Sequence, residues 1–226
     1  MQNKKQTITR EIPIFPLPNI VFFPKTFLPL HIFEPRYRKM IEDAQSSDNL
    51  IGMAVLKEGW EENYHGNPEV HDVACVGKIQ NIENIEGGKY NILLYGISRV
   101  KILEFVQGAP YRIARVRYLK DSGFDPDGFN ENVETERFLK LVRAYLVEMG
   151  VKNFDDLIKL HSHSLESVVN QIASALDFAT LKKLELLQMD FLEDRYLDLK
   201  QLLKTQLAIL KVAKKVKVVP DNPSWN

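Results

Sequence analysis

Cysteine is almost missing from this chain of 226 residues. A single residue, Cys75, excludes an internal disulfide framework and a cysteine zinc cluster. Net charge is missing too: thirty basic and thirty acidic side chains sum to zero. Such balance removes the long-range attraction that draws proteins to nucleic acid or anionic membranes, although it permits a local patch. No apolar run approaches the ~18 to 20 residues needed to cross a bilayer. The opening Met1–Thr7 leads into no long apolar run either, so no secretory signal is expected. These absences set the expectation of a soluble cytoplasmic protein. What is present is 45% apolar side chains, enough to fill the core of one large domain or two small ones.

The most informative stretch is residues 12–38, which hold six of the eleven prolines (Pro13, Pro16, Pro18, Pro24, Pro29 and Pro35) among large apolar side chains. Each proline fixes φ and removes a backbone donor, which forbids a long helix or a central strand. Short edge strands joined by stiff apolar turns are expected instead. Leu28, Leu30 and Ile32 alternate onto one face of a strand over 28–33. Pro35 then suits a first helical position, and Glu34 sets a carboxylate near the positive end of that helix. Tyr37, Met40, Ile41 and Ala44 give the buried stripe of a helix to about Gln45.

Downstream, strands are expected over Leu50–Lys57, His71–Glu83, Lys89–Val106 and Tyr111–Leu119, with Gly87-Gly88 turning a tight hairpin. Gly96 marks a bulge or a close backbone approach. At Asp121–Gly128 turn formers cluster and the period changes from 2 to 3.6. This places a boundary between a β subdomain (1–121) and helices (129–217), with a frayed tail over 218–226. Phe138, Val142, Tyr145, Leu146 and Met149 form one helix face, closed by Gly150. Shorter helices follow over 154–160, 165–176 and 181–187. Asp190 and Glu193 have capping-box spacing before the longest helix, which carries Leu192, Tyr196, Leu199, Leu203, Leu207 and Leu210.

Phe15-Pro-Leu-Pro through Phe23-Pro24, then Leu28-Pro-Leu-His-Ile-Phe-Glu-Pro-Arg-Tyr37, is similar to the opening motif of one family. Tyr90–Leu103, with its Gly96-x-x-Arg99 core, and Pro110-Tyr111 are similar to that family's central hairpin. The family is the N-terminal substrate-binding domain of the Lon proteases, which also occurs as a separate protein. The resemblance covers residues 10–120 closely and 130–215 through helix spacing and leucine content. It implies an α+β fold: a PUA-like pseudo-barrel β subdomain with one inserted helix, followed by a C-terminal helical bundle. It implies a binding role for unfolded or misfolded protein segments, and a separate ATP-dependent protease as a further partner.

No chemistry accompanies that role. A phosphate loop of the form Gly-x-x-x-x-Gly-Lys-Ser/Thr is absent, as is a Gly-x-Ser-x-Gly elbow. No catalytic residue, cofactor or metal is therefore expected, and the chain reads as a non-enzyme. His71 and Cys75 share a strand face roughly 13 Å apart, too far for a thiolate–imidazole pair. His161 and His163 lack companion ligands at a zinc spacing and read as a polar loop. Glu34, Arg36 and Arg38 read as a structural ion pair at the strand–helix corner. Lysines from 204 to 217 alternate with aliphatics without stacking aromatics, which disfavours nucleic acid; an RNA-binding PUA-like module is the alternative reading.

The expected protein-binding residues are Phe15, Leu17, Val21, Phe22, Phe23 and Pro24. Much of this set must be core, since burying one Phe or Val is worth ~1.5 to 3 kcal/mol. Adjacent Phe22 and Phe23 on an extended segment point to opposite faces, so one ring is expected to stay accessible.

Overall fold

The computed structural model describes residues 9–64, 66–120, 130–151 and 164–217. Six strands form one mixed sheet: β1 (Thr9–Leu17), β2 (Phe27–Ile32), β3 (Leu50–Val55), β4 (Val73–Ile85), β5 (Lys89–Gln107) and β6 (Arg112–Tyr118). Their order is β2-β5-β4-β3-β1-β6, and β5 also pairs with β6. That extra pairing closes β5, β4, β3, β1 and β6 into a ring, and β2 is left as an added strand on β5. The β1–β3 pair is parallel; the remaining pairs are antiparallel. Among the described residues five α-helices complete the α+β fold: α1 (Pro35–Gln45), α2 (Glu131–Glu148), α3 (Leu165–Ala175), α4 (Thr180–Gln188) and α5 (Leu192–Lys217).

Length lets β5 take part in three pairings. Its first half pairs with β2 and its second half with β6, while β4 runs along most of it. Two bulges against β4 and two against β6 give the bend that closure requires. The β4–β5 hairpin turns through Gly87 and Gly88, at φ 81° and 71°, the conformation that a two-glycine turn supplies without strain.

Two apolar clusters fill the β unit. One holds Ile12, Ile14, Ala54, Val76, Val100, Ala114 and Val116 from ring strands. The other packs α1, through Tyr37, Met40, Ile41 and Ala44, with Phe15, Phe22, Ile51, Met53, Ile92 and Leu94. These four α1 positions are the stripe expected from the sequence, and Pro35 opens that helix as expected.

The chain forms two compact units that are not consecutive in sequence. Met1–Ser122 groups with Ala173–Asp190, and Gly123–Ile172 groups with Phe191–Asn226. Within the first unit the buried Arg99 of β5 explains why a helical segment joins strands. Its Nη1 donates to the carbonyl of Leu187 at 3.0 Å, in the last turn of α4, where helix carbonyls lack partners. The turn-rich stretch expected as the boundary, 121–128, and the helix expected over 154–160 lie outside the described residues.

In the second unit Phe138, Val142 and Tyr145 of α2 are buried, with Tyr196, Leu199 and Leu203 of α5. Met149, expected on the same face, is exposed: it is the C-cap residue, followed by Gly150 at φ 83°, so the helical phase ends before it. Helix α5 begins at Leu192, so Asp190 stands one residue too early to be its N-cap; its carboxylate lies 4.0 Å from Arg99.

Candidate functional site

Phe22 and Phe23 are both buried, at 2% and 0% exposure. The expectation that one ring stays accessible is therefore corrected. Alternation of side chains requires a strand, and residues 18–26 form none. Two glycines receive them. Gly77 of β4 and Gly96 of β5 stand opposite each other in the ladder. A Cβ at Gly77 would sit 2.7 Å from the Phe22 ring, and one at Gly96 would sit 2.2 Å from the Phe23 carbonyl oxygen. This paired gap lets the loop backbone press against the sheet, as the isolated Gly96 foretold. Lys25 N–H donates to Gly96 O, Gly96 N–H donates to Thr26 O, and Thr26 Oγ1 donates to Phe23 O. Lys25 completes the turn at φ 60°. Phe15, Val21 and Pro24 are buried and Leu17 is half-buried, so the six expected contact residues are mainly core.

Exposed apolar surface begins one turn later. Strand β2 alternates as the sequence implies: Leu28, Leu30 and Ile32 face inward, while Phe27, Pro29 and His31 face outward. Phe27 is 59% exposed and its ring lies 5.0 Å from that of Tyr95, its cross-strand partner. Pro29 stands opposite Leu93. Beyond them a polar row crosses three strands: His31 Nδ1 lies 2.9 Å from Asn91 Oδ1, and Asn91 Nδ2 donates to Glu83 Oε2. Phe33, 58% exposed, follows with its ring 6.1 Å from His31. Lys78 flanks the other side, opposite Tyr95, and the bulge between Val76 and Gly77 leaves Ile97 exposed. The result is an apolar patch of Phe27, Pro29, Leu93, Tyr95 and Phe33 crossed by one polar row.

Because β2 pairs only with β5, it is an edge strand of the sheet. Pro29 sits in its middle and offers no N–H, which blunts the edge against continuous strand addition. The patch therefore offers side-chain contact more than main-chain pairing. Sequence reasoning read the inward face of β2 and passed over its outward one; Phe27 and Pro29 were legible from the same period of two.

Other constellations resolve into supports. Glu34 Oε2 accepts from Arg36 Nε at 3.0 Å, and Glu34 Oε1 accepts from Tyr64 Oη at 2.9 Å, which fixes the strand–helix corner. Arg38 Nη1 instead donates to Gly87 O. Cys75 is fully buried, and burial pushes its thiol well above its ordinary pKa, leaving it unreactive. His161 and His163 lie outside the described residues. In the helical unit Lys200 Nζ donates to Tyr196 Oη at 2.6 Å, and Tyr196 Oη donates to Glu134 Oε2. Hydrogen bonds from Tyr196, then Lys200 and Arg137, hold the Glu134 carboxyl down at about 2. No group of three metal-ligating side chains occurs among the described residues, and no helix there is long and apolar enough to cross a membrane.

Residues 11–205 match the family model of the ATP-dependent protease La (LON) substrate-binding domain. Lon protease 2 of Myxococcus xanthus is 28% identical over 221 residues, which is 94% of this chain and 26% of that protein. Lon protease of Anaeromyxobacter dehalogenans is 27% identical over 221 residues, covering 94% of this chain and 25% of that protein. The chain thus spans about a quarter of the length of these relatives. Among solved structures, the N-terminal domain of Mycobacterium avium complex Lon protease superposes with a TM-score of 0.62 at 16% identity, covering 88% of this chain and 98% of that one. A Lon N-terminal domain protein from Xanthomonas campestris gives 0.57 at 18% identity, covering 86% and 98%. These likenesses establish the fold, and the match over 11–205 establishes the family: the chain belongs to the LON substrate-binding domain family.

Proposed function

We propose that this chain is a non-catalytic substrate-recognition module that binds exposed apolar segments of unfolded or misfolded proteins on the outer face of β2 and β5. The observation that carries the reading is the exposure of Phe27 beside Tyr95 on an edge strand, with Phe33 exposed just past the strand's end. Aromatic side chains lose little conformational entropy on binding, and such anchors dominate interface energetics. Phe15, Leu17, Val21, Phe22, Phe23 and Pro24 act behind this face, holding β2 in place. In a cell the bound segment would pass to a separate ATP-dependent protease, and the site of action would be the cytoplasm. Membership of a substrate-binding family supports the protein-recognition role.

The test is a fluorescence titration with a permanently unfolded model protein, repeated from low to high salt. Apolar contact predicts an affinity that changes little with salt. Binding to single-stranded RNA that falls steeply with salt, with no binding of the unfolded protein, would replace this reading with the RNA-binding one.

A further inference from the structure

Behind β1 lies a cavity of about 190 Å³, lined by Ile14, Pro16, Arg36, Tyr37, Asn67 and Arg112 among others. No carboxylate among the described residues lines it. Arg112 is only 6% exposed, yet no acidic side chain among the described residues pairs with it. Its Nη1 donates to the carbonyl of Pro68 at 2.7 Å, and its guanidinium lies 5.5 Å from the Phe105 ring. A carbonyl and a ring face partly offset a buried cation; a counter-charge does so far better. Arg36 is already neutralised by Glu34 at 3.0 Å, so among the described side chains around this cavity Arg112 is the cation with no bonded carboxylate, although it also borders an adjoining cavity lined by Glu69 and Asp72.

Tyr37 adds a donor. Its ring is fixed by stacking on Phe15 at 4.1 Å and by the Arg36 guanidinium 4.7 Å above it. Its hydroxyl has no hydrogen-bond partner among the described residues, although the side chain is 6% exposed. Burial pushes this phenol up to about 12, so it remains protonated and able to donate at neutral pH. A buried guanidinium, a phenol and the Asn67 amide around an acid-free space form a receptor for a planar monoanion. One cation with no bonded carboxylate suits a carboxylate better than a doubly charged phosphate, and Ile14 and Pro16 offer apolar wall to a short aliphatic group.

We infer that this cavity is a binding site for a carboxylate, held by Arg112, Tyr37 and Asn67. The carboxylate has two sources: the free C-terminus of a polypeptide or a small organic acid. This inference is independent of the apolar face on β2 and β5, so either can fail alone.

The experiment is an NMR titration of the full chain, following the amides of Gly66 and Gly108, which line the cavity. Three probes are compared: N-acetyl-Ala-Ala-Val as free acid, the same peptide as its amide, and sodium acetate. The acid is expected to bind at least ~10-fold more tightly than the amide, the ratio that one charge-assisted hydrogen-bonded pair supplies. Tyr37→Phe keeps the stacked ring and should fold as the parent while weakening the acid by ~5-fold or more. Arg112→Met should remove binding; if it fails to fold, Tyr37→Phe still decides. Peptide acid bound more tightly than acetate identifies a chain terminus, and equal affinity identifies a small organic acid. An amide that binds as tightly as the acid, a Tyr37→Phe variant of unchanged affinity, or no saturable shift with either acid at millimolar concentration would overturn the site.

Discussion

Phe22-Phe23-Pro24 and Phe27-Leu28-Pro29 are almost the same tripeptide, two residues apart in the chain, and they end in opposite surroundings. The first is buried throughout; the second opens with a phenylalanine 59% exposed. Composition does not separate them. Their backbones do: the first lies in a non-strand loop seated over Gly77 and Gly96, and the second is an edge strand whose alternate residues must face outward. An apolar side chain here is thus buried or exposed according to the backbone that carries it.

The largest expected effect attacks the buried member. Phe23→Ala should lose ~3 to 5 kcal/mol of stability, the usual cost of a fully buried ring, and Phe22→Ala should fall in the same range. Chemical denaturation of each variant measures this. Two nearly silent substitutions would erase the contrast between the tripeptides.

Next in size is the seat itself. Gly96→Ala sets a methyl 2.2 Å from a backbone oxygen, which cannot move without shifting the loop, and ~1 to 3 kcal/mol of destabilisation is expected. Gly77→Ala meets the end of a ring at 2.7 Å and should cost less. Equal losses, read from the same denaturation curves, would mean that the loop yields as easily as the ring.

A third change contrasts apolar packing in the β unit with the polar chain of the helical unit. The Glu134 carboxyl titrates at about 2 in the folded protein, below its ordinary 4.5, because Tyr196, Lys200 and Arg137 bond the ionised form. A depressed folded pKa stabilises above the unfolded value and loses that contribution as pH falls. Between pH 4.5 and 2 the unfolded chain binds the proton and the folded one does not, so stability declines across that window. Glu134→Gln should flatten this part of the pH–stability profile and lower neutral stability by on the order of 1 kcal/mol. An unchanged profile would remove the carboxylate from the account.

Smallest is the exposed member. Phe27→Ser should change stability by less than ~0.5 kcal/mol, as surface substitutions usually do. A large loss of melting temperature would make Phe27 core and return the two tripeptides to one class.

Much of this fold was legible because its local signals agree. The α1 stripe, the outline of the strands and the Gly87-Gly88 turn each follow from a short-range period or a required φ. The site was less legible for a specific reason. Reading Phe22 and Phe23 as alternating assumed an extended backbone, whereas their burial depends on glycines more than fifty residues away that a single period cannot connect to them. Arg99 was likewise visible as part of a motif, but its partner carbonyl at Leu187 belongs to a helix that local patterning could not assign to the β unit. Phe27 was the opposite case, since the alternation that turns Leu28 and Leu30 inward already turned it outward.

The most direct test of the central claim is the affinity of Phe27→Ser for an unfolded model protein, measured beside Val212→Ser, an equally exposed apolar position on α5. With both variants melting like the parent, Phe27→Ser should bind at least ~10-fold more weakly, the ratio that 1.4 kcal/mol implies, and Val212→Ser should bind as the parent does. Equal affinity for all three proteins would contradict a binding face on β2 and β5.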